Sequence, residues 1–150
     1  MEFQRIAIVQ SKKYKDASES ICKCLLKNLR RRGFSQNQIY VFKVCEIEDI
    51  PRAIHTLARV GKPTPFSSII AIGVLLLPAK RVNTYVPDFI NSSIMKIGLD
   101  FDVHVKNSIL IADSLPNKKR RWGKLINKTA KSVQASTEIM STLANFVYPI

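Results

Sequence analysis

Acid is scarce in this chain beside base. Eleven Asp and Glu stand against 24 Lys and Arg, a formal charge of +13. An excess of that size favours a polyanionic partner. Cysteine is sparse as well: Cys22, Cys24 and Cys45 are an odd count without zinc-ligand spacing, which argues against a disulfide framework and a zinc site. They are expected to be buried or half-buried thiols in a reducing compartment, with Cys22 and Cys24 on different faces of a helix. Five glycines leave no room for a Gly-rich phosphate loop. The two histidines, His55 and His104, form no Ser-His-Asp or metal-binding pattern, and read as surface or hydrogen-bonded half-buried residues. No apolar run reaches membrane-spanning length, so no membrane partner is expected. The start of the chain has no targeting character, since Glu2 and Arg5 lead straight into Ile6–Val9. A cytoplasmic protein is expected, with mitochondrial or nuclear entry by an internal signal left open.

Hydrophobic residue, by contrast, is plentiful. At 46% of 150 residues it suffices for one domain over 1–150 with a real core. The densest run, Ile69 to Leu77, carries no charge and one glycine. It is too short to span a membrane and suits a strand buried on both faces, as in a parallel sheet. It breaks at Pro78 and turns basic at Lys80 and Arg81. Ligands of open α/β sheets bind beyond the carboxyl ends of the strands, so Leu77–Asn83 is the first place to seek a site.

The other elements follow from pattern. Arg5–Gln10 reads as a strand. Asp16–Arg32 reads as a helix with Ile21, Leu25 and Leu29 as its stripe, Asp16 or Ser18 as cap and Gly33 as stop. Ile39–Val44 is a second strand. Glu48–Val60 is a helix with Ile50, Ile54 and Leu57 on one face, and Lys62–Pro65 is a rigid turn. Tyr85–Leu99 is a third helix built on Val86, Ile90, Ile94 and Ile97, and Val103–Ala112 a fourth strand. A last helix begins at Pro116 or Asn117, with Trp122, Ile126, Val133 and Met140 inside. The order β-α-β-α-β-α-β-α, with right-handed crossovers, predicts a three-layer α/β/α sandwich on a four-stranded parallel sheet.

From about Arg5 to Asp113 this order and spacing resemble lumazine synthase, of flavodoxin-like architecture. The anchors are Arg5-Ile-Ala-Ile-Val9, Leu29 to Gly33, Val44 followed by Ile50-Pro51, Leu57-Ala58, Gly61-Lys62, Ile69-Ile-Ala-Ile-Gly-Val-Leu75, Tyr85 and Val105 to Leu110. Trp122-Gly123 continues the match more loosely. These are fold residues. At the positions where the resemblance places chemistry, the sequence departs. The aromatic that stacks on the pyrimidine falls at Lys13, with Tyr14 one place off. The segment holding the ribityl chain falls at Cys45-Glu46-Ile47-Glu48-Asp49, where only the final acid survives, as Asp49. The phosphate loop falls at Pro78-Ala79-Lys80, the proton-shuttling histidine at Val82, and the ring-covering Phe-Gly at Asn107-Ser108. A positioned base contributes roughly 10²–10⁴-fold to proton transfer, which valine cannot supply. Pro78 removes an N–H donor where glycine would let backbone approach phosphate. Loss of an aromatic cover removes stacking.

No catalytic residue, cofactor or metal is therefore expected. Tyr14, Asp49, Lys80, Arg81, Val82 and Asn107 would line the remnant of the pocket. The resemblance also implies a homo-oligomer, a pentamer in this family, or a component of a larger assembly. Two enzyme readings stand beside it: a diverged lumazine synthase in which Lys80, Arg81 and Tyr14 compensate, and an archaeal-type riboflavin synthase, which Ile47-Glu48-Asp49-Ile50-Pro51 and the Trp-containing tail resemble. Glu48 and Asp49 also have a structural reading, as favourable charge at a helix N-terminus.

The base is clustered in two places. Lys12, Lys13, Lys15, Lys23, Lys27, Arg30, Arg31 and Arg32 meet only Asp16 and Glu19. Lys118, Lys119, Arg120, Arg121, Lys124, Lys128 and Lys131 meet no acid before Glu138. A solvated face usually mixes signs. A polyanion-binding surface, with nucleic acid as the partner, and a merely solvated face both remain open. Trp122 is either core or a base-stacking platform.

Overall fold

The computed structural model describes residues 4–60, 66–77 and 85–112, together with Gly123, Lys124, Asn127, Lys128 and Lys131 of a tail helix. The chain runs β1 (Ile6–Ser11), α1 (Lys15–Arg31), β2 (Ile39–Val44), α2 (Ile50–Val60), β3 (Ser68–Leu76), α3 (Tyr85–Phe101) and β4 (His104–Ala112). All strand pairs are parallel, in the order β2-β1-β3-β4. The expected sandwich on a four-stranded parallel sheet is the fold.

Burial follows position in the sheet. Interior strands are covered on both faces, so alternate residues face different helices and all must be apolar. Ile6 and Ile8, with Ile70, Ile72 and Val74, pack against Ile21, Leu25 and Leu29 of α1. Ala7 and Val9, with Ile69 and Ala71, pack against Ile50 and Ile54 of α2 and Ile90, Ile94 and Ile97 of α3. Burying an isoleucine is worth roughly 1.5–3 kcal/mol, so β3, with Ile69, Ile70 and Ile72 fully buried, anchors the fold. The edge strand β2 leaves Tyr40, Val41 and Phe42 exposed. Tyr40 and Phe42 both meet the Phe66 ring edge-on, at 5.7 and 6.3 Å.

Several boundaries move. α1 starts one residue earlier than its charge pattern implies. Tyr14 occupies the cap position in the left-handed region (φ 53°) without a side-chain cap, so neither Asp16 nor Ser18 caps the helix. Ser18 is buried within it and donates its hydroxyl to Lys13 O at 3.0 Å. Gly33 ends the segment at φ 97°, where Phe34 N–H reaches back to Leu29 O. α2 begins at Ile50 rather than Glu48, because Ile47–Asp49 forms a separate 3-10 turn. α3 runs through Leu99 to Phe101 and closes where Asp102 turns left-handed and Val103 N–H bonds Gly98 O. Cys22 is buried and Cys24 half-buried on another face, as expected, but Cys45 is exposed: it lies in the loop beyond β2, past the cover of the sheet. The expected Lys62–Pro65 turn, the strand-end segment Pro78–Asn83, and Trp122, Ile126, Val133 and Met140 lie outside the described residues. Among the described residues, no helix is long and apolar enough to cross a membrane.

Candidate functional site

The carboxyl ends of β1 and β2 are laced together. Lys12 N–H donates to Val44 O at 2.8 Å, carrying the ladder one residue past β1. Beyond it, Lys13 Nζ lies 3.6 Å from Glu46 Oε2, joining the loop after β1 to the loop after β2. Glu46 N–H donates to Asp49 Oδ2 at 3.0 Å, and Asp49 N–H returns to Glu46 O at 3.1 Å. The Asp49 carboxylate thus caps its own turn. Ile47, inside that turn, is buried over Gly73 of β3. A Cβ on Gly73 would stand 2.5 Å from Ile47 Cδ1 and 3.3 Å from Ser11 Cβ, so glycine lets Ile47 close onto β3, and a side chain there would make Ile47 and Ser11 shift.

Tyr14 is half-buried and packs on the α1 side of the core. Asn107, mid-strand in β4, points to the α3 side. Its amide donates to Asn91 Oδ1 at 3.2 Å, and its Oδ1 accepts Ile109 N–H at 3.0 Å. Lys80, Arg81 and Val82 lie outside the described residues, as do Lys118, Lys119, Arg120 and Arg121. Sequence reading grouped Tyr14, Asp49 and Asn107 as lining of one remnant pocket, with Asp49 also read as charge at a helix N-terminus; the structure gives them three local roles: a left-handed helix entry, a turn cap and a strand-to-helix amide pair. The spacing Glu46-x-x-Asp49 is the one signal that would have revealed the cap.

The histidines have structural partners. His55 is exposed and meets the Phe101 ring edge-on at 5.2 Å. His104 Nδ1 lies 2.9 Å from the buried Ser68 hydroxyl, at the amino ends of β3 and β4. Burial, then the nearby Lys106 charge, pushes its pKa below 6.5. The Cys22 thiol is pushed up, chiefly by burial, with Lys43 opposing and Glu19 adding to the rise. Among the described residues, no group of His, Cys, Asp and Glu is placed to hold a metal.

The second charged region lies on α1. Lys23, Leu26, Lys27, Arg30 and Arg31 line a shallow, open depression of about 620 Å³. Among the described residues, none of these four cations has a carboxylate partner. α1 runs away from the carboxyl end of β1, so Arg30, Arg31 and Arg32 lie at the opposite end of the sheet from Lys13 and Asp49. Lys124, Lys128 and Lys131 are exposed on the tail helix.

The family model for 6,7-dimethyl-8-ribityllumazine synthase matches residues 4–144. The chain belongs to the lumazine synthase family. The lumazine synthase of Burkholderia ambifaria (strain MC40-6) is 26% identical over 139 residues, covering 90% of this chain and 75% of that protein. The one from Burkholderia vietnamiensis is 28% identical over 114 residues, covering 73% and 63%. That of Paraburkholderia phymatum is 26% identical over 144 residues, covering 93% and 77%. The chain thus spans about three quarters, or under two thirds, of the length of these lumazine synthases.

Proposed function

We propose that this member of the lumazine synthase family has lost lumazine formation and works as a basic binding module that contacts RNA, within a homo-oligomer or a larger ribonucleoprotein. The carrying observation is that positions which the resemblance gives to ligand are committed to local contacts. Lys13 and Glu46 pair with each other, Asp49 caps its own turn, and Asn107 bonds Asn91. An aromatic platform and a ribityl-binding segment have become an exposed ion pair and a capped turn. Such a pair adds little stability, on the order of 0–1 kcal/mol, and offers no aromatic face on which a ring could stack. Positive charge meanwhile accumulates at the other end of the sheet.

The test is an assay of the purified chain with the butanone phosphate and the pyrimidine diamine, run beside its absorbance at 260 nm. The expected result is no lumazine above background and co-purifying nucleic acid. Lumazine formation, or a yellow-fluorescent preparation, overturns the catalytic loss and returns the protein to riboflavin biosynthesis. Light scattering reports the assembly: a pentamer is the expected homo-oligomer, and the mass of a lone chain overturns it.

A further inference from the structure

The two basic clusters are separate in sequence and joined in the fold. On α1, Lys23, Lys27 and Arg30 stand at i, i+4 and i+7. On the tail helix, Lys124, Lys128 and Lys131 repeat the same spacing. Residues so spaced share one helix face. The seam is visible at one point: the Cys24 thiol lies 3.5 Å from Asn127 Oδ1, across 103 residues of chain. Cys24 follows Lys23, and Asn127 precedes Lys128. Asn28 amide also donates to the Cys24 sulfur at 3.8 Å, holding that side chain at the seam. The two helices thus touch at Cys24 and Asn127, each one residue from a member of its own cation row.

We infer that these two rows form one composite surface that binds the phosphodiester backbone of double-helical RNA. This rests on the RNA-binding reading above and gives it a place. Like charges at i, i+4 repel, which an intervening polyanion relieves. Among the described residues no carboxylate pairs with either row; the acids near α1 are Asp16 and Glu19, and Glu19 is engaged with Lys43 at 3.8 Å. A duplex is favoured over a single strand because neither row contains an aromatic. The apolar residue of the depression is Leu26, which offers no base-stacking platform. RNA is taken over DNA from the reading above, and a DNA duplex of the same length is the control. Ile21, Leu25 and Leu29 fix α1 on the sheet with its cations outward, a surface that meets phosphates and carries no base-reading Asn or Gln in either row. An A-form duplex is recognised instead by its shape and its phosphates.

The test uses the full chain and a labelled RNA duplex of about 16 base pairs. Affinity should fall on the order of 10³-fold or more between about 50 and 200 mM salt if six phosphates are engaged. Lys23→Glu/Lys27→Glu/Arg30→Glu and Lys124→Glu/Lys128→Glu/Lys131→Glu should each flatten the salt slope by about three. Lys→Arg at the five lysine positions should preserve binding, which separates lost charge from lost fold. Thiol labelling with iodoacetamide locates the duplex. Cys24 should be protected by bound RNA, while exposed Cys45 at the far end of the sheet keeps its free rate. Tighter binding to single-stranded RNA or to a DNA duplex of the same length overturns the assigned partner. Undiminished binding by either triple variant, or protection of Cys45 in place of Cys24, overturns the composite surface while leaving RNA binding standing. If no RNA binds at all, the RNA reading fails with it. Lumazine formation would overturn only the catalytic loss.

Discussion

The two charged regions of this molecule treat their charges in opposite ways. At the carboxyl ends of β1 and β2, charges are matched: Lys13 meets Glu46, and Asp49 meets the Glu46 N–H. On the outer face of α1, Lys23, Lys27, Arg30 and Arg31 surround a depression with no acid partner among the described residues. Paired charge is spent locally and holds two loops together. Unmatched charge of one sign makes a field that reaches outward by about a Debye length, roughly 8–10 Å at physiological salt. The first region stands at the address of an α/β ligand site and spends its charges on local contacts; the second gathers positive charge at a different address.

The difference can be broken or sharpened in four ways. The largest effect comes from what both regions share. Ile70→Ala, at a fully buried position in β3, should cost about 2–5 kcal/mol in urea unfolding. RNA affinity measured on the folded fraction should survive; a cost below about 1 kcal/mol would mean that the central strand is not the common anchor. Gly73→Ala comes next. Its Cβ collides with Ile47, and overpacking of this kind costs about 1–3 kcal/mol. The strain should fall on the Ile47–Asp49 turn and on Ser11 beside it, so Cys45 labelling should change while the salt dependence of RNA binding does not.

A smaller effect depends on pH. Burial lowers the folded pKa of His104, so the unfolded chain binds its proton more readily than the folded one. Stability should be full above about pH 6.5 and decline as pH falls from there toward the lower folded pKa. His104→Gln should remove that decline; a variant that keeps it places the titration elsewhere. Smallest is the Lys13–Glu46 pair. A double-mutant cycle with Lys13→Ala and Glu46→Ala should give about 0.2–1 kcal/mol of coupling, vanishing at high salt. A larger, salt-resistant coupling would make this end more than a paired surface.

The sheet was legible because burial on both faces leaves a local mark. Ile6–Val9 and Ile69–Leu77 are apolar without alternation, and each became an interior strand. Helix stripes were equally plain in Ile21, Leu25 and Leu29. Boundaries were less so. The entry to α1 depends on Tyr14 adopting a left-handed backbone, a state that its side chain does not advertise. The candidate site was half legible. The resemblance marked Asp49 and Asn107 as positions, but their partners, the Glu46 N–H and the Asn91 amide, emerge only when loops and layers meet.

Composition and periodicity alone determined that this chain would build a parallel sheet between helices and carry a large positive charge, because apolar runs and charge counts belong to neighbouring residues. Only tertiary structure decided how that charge is shared out. Lys13 finds Glu46 across two loops, and Cys24 of α1 finds Asn127 of the tail helix across 103 residues. Electrostatic energy depends on distance in space, and chain separation says little about it until the sheet has brought its helices together.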